Sequence, residues 1–415
     1  MRIAYLTQSY PPMISGVAII AEKLAEAMAE RGHQVLVITA SDRCQPYLVQ
    51  NRNLSLLRLP SYHNPMRVGQ RFLLYPRHAI LRALQDFIPD IIHTHEPLQM
   101  GLLGIEYAHR LHIPVTLTIH QLPWFVACYL PNIIGVRTFA ESALWAYARM
   151  ILQQFTSIIT PSPTISGLVA SKTGVQPTTI SNGISLETFH PPLSSDDETD
   201  MRKELDLPLH VPIILHLGRL DIDKHVERVI LAASQAMSQT EAHLLIVGDG
   251  CEKLKLMKLC KTLGIADRTH FPGYVSLHEG LPKIYRLASL FITASEIEIQ
   301  GMVLLEAIAS GLPIVAVRAS SIPEIVYDGV NGYMAETGDI HSLSKAISGL
   351  LVNPAKAKLM GAASCALAAR HKFQSTVDEY EALYRQLTTQ TQARQFTKKS
   401  GLLIQWERMK EWMKS

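Results

Sequence analysis

Apolar runs of strand length alternate along the chain with stretches whose apolar residues recur at helical spacing. Residues 2–7 (RIAYLT) form the first such run, and a Pro/Ser/Gly loop follows as far as Gly16. Val17, Ile20, Leu24, Ala27 and Met28 then fall on one helical face, and Gly32 after Arg31 reads as a helix stop. Residues 34–39 (QVLVIT) predict a second strand, and 90–94, 114–119 and 157–160 predict three more. Strands apolar on both faces and separated by helices imply a parallel sheet covered on both sides.

The alternation breaks at 182–200 (NGISLETFHPPLSSDDETD), which holds a turn signal, a stiff Pro-Pro and an acidic run. It restarts with strand candidates at 211–217, 243–247, 289–293 and 313–317. Two series with a break between them predict two doubly wound, Rossmann-like α/β domains, 1–185 and 186–372. Ligands of such sheets bind beyond the carboxyl ends of the strands, so two facing domains would enclose a cleft. Residues 373–390 read as a closing helix. Residues 391–415 read as a basic amphipathic tail: 394–415 carry six Lys or Arg against two Glu, with Leu402, Trp406, Met409 and Met413 on one stripe.

Composition narrows the function. The chain has 415 residues, 47% apolar and 18% charged, which excludes intrinsic disorder and leaves enough chain for two cores. A net charge of +3 is too weak for a nucleic-acid-binding surface. The five cysteines are scattered and none forms C-x-x-C, which fits a reducing compartment and no structural zinc. The uncharged stretches 111–136 and 150–171 are interrupted by prolines and polar residues, so they predict strand-loop-helix segments and not membrane spans.

The densest chemistry lies at 295–317, SEIEIQGMVLLEAIASGLPIVAV. A helix opening near Gly301 puts Glu298 in the loop before it and Glu306 on its second turn, with free backbone N–H groups ready for an anion. The loop after the 211–217 strand, Gly218-Arg219-Leu220-Asp221-Ile222-Asp223-Lys224, offers a cation pair suited to a diphosphate, with the aspartates as spacer. His93 and His95 share a strand face, but no cluster completes a metal site around them. Gly248-x-Gly250 lacks the third glycine of a dinucleotide fingerprint, since Lys253 stands there.

In this order and spacing, Gly-Arg-Leu-x-x-x-Lys, Gly248-Asp249-Gly250, the F-x-G-Y-V at 271–275 and E-x7-E resemble a retaining family 4 glycosyltransferase. The resemblance covers about residues 1–385 and includes Ser15-Gly16, Asn182-Gly183-Ile184 with Phe189 closing the first domain, and Pro323-Glu324-Ile325. Most relatives have two glycines where this chain has Ser15-Gly16, and a glycine at His225. The resemblance implies the GT-B fold and, residue by residue, a site. Arg219 and Lys224 would bind the donor diphosphate, Glu306 the ribose and Glu298 the donor sugar. The backbone at Tyr274 and Val275 would line the base. Gly218, Gln300, Gly301, Met302 and Val303 would complete the donor pocket. Gly16 would approach the phosphates, and His120 the reacting sugar. His93-Thr94-His95-Glu96 and Glu298-Ile299-Gln300-Gly301 are further similar to the diacylglycerol glucosyltransferase branch.

These readings imply metal-independent transfer of a hexose from a UDP- or GDP-sugar to a hydroxyl acceptor, a membrane lipid such as diacylglycerol or a soluble glycan, with no cofactor. A sugar-nucleotide epimerase and a non-catalytic binding protein are the other classes; the pairing of Gly-Arg-Leu-x-x-x-Lys with E-x7-E argues against the first, and His120, Arg219, Lys224, Glu298 and Glu306 together argue against the second. A cytoplasmic enzyme, peripheral at the inner membrane face through 394–415, is the expected setting, and the aromatic loop 123–130 (PWFVACYL) is a second candidate docking surface.

Overall fold

The computed structural model describes the backbone of residues 1–412 except 14, 44, 64–70, 74, 75, 123–135, 194 and 195. Side chains are described as far as residue 393, with 136 and 196–198 also excepted. The loop 123–130 and the side chains of the 394–415 tail therefore lie outside the described residues.

The chain divides into two units. Unit 1 holds an eight-stranded sheet. Its strands are β1 (Arg2–Leu6), β2 (Gln34–Ala40), β3 (Tyr47–Asn51), β4 (Leu54–Leu59), β7 (Ile91–Thr94), β8 (Val115–Thr118), β9 (Ser157–Thr160) and β10 (Thr178–Thr179), and a separate hairpin pairs β5 (Ser61–His63) with β6 (Arg71–Leu73). The order is β10-β9-β8-β7-β1-β2-β4-β3, parallel except for the antiparallel β3–β4 edge. The five strands expected from apolar runs are all present. The β3–β4 pair escaped that reading because YLVQN is mostly exposed and LSLLRL is mostly half-buried, so neither forms a run buried on both faces.

Unit 2 holds a six-stranded, wholly parallel sheet. Its strands are β11 (Ile213–Leu217), β12 (His243–Val247), β13 (Thr269–Gly273), β14 (Leu290–Thr293), β15 (Ile314–Val317) and β16 (Gly332–Ala335), in the order β13-β12-β11-β14-β15-β16. The four expected strands are its centre, and β13 and β16 are its edges. Every residue of β14 and β15 is buried, as a sheet covered by helices on both faces requires.

Two details differ from the sequence expectation. The division falls after Ile180, not after residue 185, and Ser162–Ile165 packs with unit 2. Asn182-Gly183-Ile184 and Phe189 open the second unit and do not close the first. The Phe189 ring packs edge-on against Tyr285 with centroids 5.7 Å apart. Ile184 donates its N–H to the His371 carbonyl at 2.7 Å and accepts from the Phe373 N–H at 3.0 Å. The closing helix and the tail are also not separate segments: one helix runs Phe373–Trp412, and from Val377 onward it belongs to unit 1. Val377, Tyr380, Tyr384 and Leu387 are its buried stripe, at the spacing of one helical face.

Candidate functional site

In unit 2 the sheet reverses its winding between the adjacent strands β11 and β14. The loops leaving these two strands carry the residues singled out from the sequence. After β11 the chain passes Gly218 into a single helical turn, Ile222–Lys224. After β14 it passes Ser295 and Glu298 to Gly301, whose φ of 69° opens the Met302–Ala309 helix. Glycine suits this left-handed position, which a Cβ would strain. The Lys224 ammonium lies 2.6 Å from Glu298 Oε1 and 3.3 Å from Ser295 Oγ, so the cation of one loop and the carboxylate of the other form one charged centre. The Glu298 carbonyl is fixed in turn by the Ser320 and Ser321 hydroxyls, at 2.5 and 2.9 Å.

Asp221 and Asp223 are more than the spacer expected from the sequence. The Arg219 guanidinium is ion-paired with Asp221 and lies 3.0 Å from Asp223, whose side chain is fully buried. The pairing fixes a long side chain that would otherwise lose entropy when it engages a ligand. Gln300, expected among the donor contacts, has its amide oxygen taken by the Asn182 N–H at 2.7 Å, and its amide nitrogen donates to Ser181 at 2.7 Å. Such a residue holds the 298–301 loop to the start of unit 2 and leaves neither end of its amide unengaged.

Glu306 stands on the second turn of the Met302–Ala309 helix and accepts the Tyr285 hydroxyl at 2.7 Å. Burial, reinforced by Glu306, pushes the Tyr285 hydroxyl well above its ordinary range, so it stays protonated and donates. Sequence reading missed Tyr285, because nothing in the helix LPKIYRL, 281–287, says which partner its hydroxyl meets. Met302 and Val303 open the same helix, half-buried, and Tyr274 and Val275 follow β13 with Tyr274 exposed. Gly248 and Gly250 serve packing: a Cβ on Gly248 would meet the Gly218 carbonyl oxygen at 1.9 Å, and one on Gly250 the Leu220 oxygen at 2.4 Å. They let the β12 loop lie directly on the loop that carries Arg219. A Cβ on Gly16 would meet nothing within 4 Å among the described residues, so their packing does not demand glycine there.

In unit 1, His120 follows β8 and His93 and His95 stand at the end of β7. The three rings form a ladder, with centroids 4.5 Å apart from His93 to His95 and 5.2 Å from His95 to His120. His95 Nδ1 and His120 Nε2 share a hydrogen bond at 3.0 Å. Both His93 nitrogens are engaged, Nδ1 by the Tyr384 hydroxyl at 2.5 Å and Nε2 by Thr118 at 2.8 Å, which leaves none for a metal. Among the described residues, no group of three or more His, Cys, Asp or Glu is placed to hold a metal ion. Burial lowers His93 to about 3, His120 to about 4 and His95 well below the ordinary 6.5.

The neutral ladder has a consequence for stability. Above 6.5 these imidazoles are neutral in both folded and unfolded chains. Between 6.5 and about 4 the unfolded chain binds protons that the folded one refuses, so stability falls as pH falls. Urea midpoints measured across this window should therefore decline, and the decline should be shallower in His95→Gln. An unchanged slope in the variant would remove His95 from the account.

Two sheets, one wholly parallel and one parallel but for its β3–β4 edge, each with charged or polar residues beyond its strand ends, define a two-domain α/β protein of GT-B architecture. Sucrose-phosphate synthase from Thermosynechococcus elongatus has the same fold, with a TM-score of 0.79 at 23% identity over 94% of this chain and 99% of that one. The sequence profile described as Glycosyltransferase Family 4 matches residues 14–188, and the one described as Glycosyl transferases group 1 matches 197–365. The chain is similar to the alpha-monoglucosyldiacylglycerol synthase of Streptococcus pneumoniae, 28% identical over 85% of this chain and 78% of the relative. It is also similar to a GDP-mannose-dependent alpha-mannosyltransferase of Mycobacterium tuberculosis, 29% identical over 85% of this chain and 88% of that protein. The chain belongs to the family 4 glycosyltransferases and is a hexosyltransferase.

Proposed function

We propose that this enzyme transfers glucose from UDP-glucose to diacylglycerol with retention of configuration and without a metal ion, at the inner face of the cytoplasmic membrane. The observation that carries the donor half is the Lys224–Glu298 centre, 2.6 Å across, at the winding reversal of unit 2. As the sugar–diphosphate bond breaks, the leaving diphosphate gathers negative charge. Arg219, Lys224 and the N–H groups opening the Met302–Ala309 helix are assigned to that charge. Glu298 is assigned to the donor sugar, Glu306 to the ribose, the Tyr274–Val275 backbone to the base and Gly218 to the phosphates. Gly16 and His120 of unit 1 are assigned to the phosphates and the reacting sugar. The acceptor hydroxyl attacks on the face the diphosphate leaves, and the leaving oxygen takes its proton.

The lipid acceptor rests on the similarity to the Streptococcus enzyme and on the basic composition of 394–415. Among the described residues no helix is long and apolar enough to cross a membrane. Surface docking would draw on the tail's charge, each Lys or Arg near anionic lipid contributing on the order of 1 kcal/mol. A soluble glycan acceptor with a GDP-sugar donor is the second reading, favoured by the similarity to the mannosyltransferase. A donor and acceptor screen decides: UDP-glucose and GDP-mannose are each offered with diacylglycerol micelles or soluble glycans, and nucleotide release is followed. Release that requires GDP-mannose and a soluble glycan would replace the first reading with the second.

The two glutamates should divide their labour. Glu306→Gln is expected to weaken nucleotide binding, and Glu298→Gln to lower turnover with little change in nucleotide affinity. Calorimetry with UDP and GDP checks both, and an unchanged affinity in Glu306→Gln would withdraw the ribose assignment.

A further inference from the structure

Unit 1 carries polar chemistry that the donor residues of unit 2 leave unexplained. Its sheet reverses winding between β1 and β7: the chain proceeds from β1 to β2 on one side and from β7 to β8 on the other. In an open parallel sheet the crevice beyond the strand ends at such a reversal is the usual ligand site. Glu96 stands just past β7 and reaches across to the segment leaving β1. Its Oε1 accepts the Gln8 N–H at 2.7 Å, the Ser9 N–H at 3.3 Å and the Thr7 hydroxyl at 3.3 Å.

The other carboxylate oxygen, Oε2, is buried and has no hydrogen-bond partner among the described residues. The same holds for Oγ1 of Thr94 and Nε2 of His95, so three successive residues each present a buried, unengaged polar atom. A closed core leaves few such atoms, because each costs free energy comparable to a lost hydrogen bond. Here they gather at the winding reversal, and His95 is itself locked to His120 through its other nitrogen. A carboxylate oxygen, an imidazole nitrogen and a hydroxyl together suit a neutral alcohol, which both donates and accepts. Burial pushes the Glu96 carboxyl up to about 7, against the pull of the Gln8 and Ser9 N–H groups and Thr7.

We propose that Glu96, with Thr94 and His95 beside it, receives the attacking hydroxyl of the acceptor alcohol. Before transfer the hydroxyl donates to Glu96 Oε2, which orients its oxygen; as the new bond to the sugar forms, that proton turns from Glu96 to the leaving oxygen, and Glu96 keeps its own protonation state. The proposal deepens the glycosyltransferase reading and rests on it. It covers a lipid-borne alcohol or a soluble one, and the experiment separates the two.

The test has two parts. The whole protein is treated with a water-soluble carbodiimide and an amine, and modification of Glu96 is followed by peptide mapping. The probes are dioctanoylglycerol micelles, free glycerol, a hexose and UDP. Protection by the micelles or by a soluble alcohol, and not by UDP, is expected, and which alcohol protects names its source. Modification insensitive to every alcohol, or slowed equally by UDP, would overturn the assignment. In the second part, Glu96→Gln keeps an oxygen for the Gln8 and Ser9 N–H groups but puts an N–H where Oε2 stood. Transfer at limiting acceptor should fall roughly ten- to hundredfold, the size of one hydrogen bond to a charged group, with UDP and GDP affinity and the urea midpoint unchanged. A parallel loss of nucleotide affinity or of stability would make Glu96 a structural residue and sink the proposal. If the wild-type protein binds no nucleotide, the donor reading fails, while carbodiimide protection still reports on Glu96.

Discussion

Lys224→Ala should lower kcat/KM for glycosyl transfer by about 2–4 kcal/mol of transition-state stabilisation, the scale of losing one preorganised donor at a developing anion. The fold should survive, because Lys224 ends a single short turn at the strand end and is not among the apolar core residues of unit 2. Two losses combine in this variant. The charge assigned to the leaving diphosphate disappears, and Glu298 loses the ammonium 2.6 Å from its carboxylate. A Glu298→Gln background separates them: if the pair acts as a unit, the double variant falls less than the sum of the single ones. Arg219→Ala should be of similar size, because Asp221 and Asp223 already hold that guanidinium in place. Steady-state kinetics with circular dichroism checks these expectations, and full activity in Lys224→Ala would remove the cation from the mechanism.

The largest expected effect on stability comes from a residue far along the chain. Tyr384 is fully buried in unit 1, with its hydroxyl 2.5 Å from His93 Nδ1 and 3.2 Å from the Tyr5 hydroxyl. Tyr384→Ala removes an aromatic ring from a packed core, which costs about 3–5 kcal/mol. Tyr384→Phe keeps the ring but leaves His93 Nδ1 buried without its partner, at about 1–3 kcal/mol. Urea unfolding should rank them wild type, Phe, Ala. A fully stable Tyr384→Ala would mean that the helix end is dispensable to unit 1.

Much of this architecture was legible in the sequence because parallel sheets write themselves as apolar runs. β2, β11, β12, β14 and β15 are such runs; the cation pair and Glu298 fall on the connections leaving β11 and β14, and Glu306 on the helix that follows. What stayed hidden was whatever depends on distant partners. Gln300 reads as a polar residue beside a pocket until Ser181 and Asn182 are seen to occupy it. Tyr285 carries no signal in the sequence until Glu306 meets its hydroxyl. His93 and His95 read as strand-end polar residues, because nothing in the local pattern says that Tyr384, almost three hundred positions later, will cover them. The boundary expected at 185 lies five residues past the packing division after Ile180, because turn signals mark where the chain bends and packing decides which side the bend belongs to.

The return of the C-terminal helix to the first sheet also sets an order of events during synthesis. Residues 1–180 emerge from the ribosome first, yet the helix segment that seals them, from Val377, comes about two hundred residues later. At roughly 5–20 residues per second the wait is on the order of ten seconds or more. Through that interval the nascent first sheet lacks its Tyr380 and Tyr384 cover, while unit 2 can finish almost completely. A premature stop after β16 and before the closing segment therefore leaves the second sheet complete and the first without its Tyr380 and Tyr384 cover, a species prone to aggregation and to degradation. Quality control of this enzyme is thus built into chain order: the half translated first is the last to be completed.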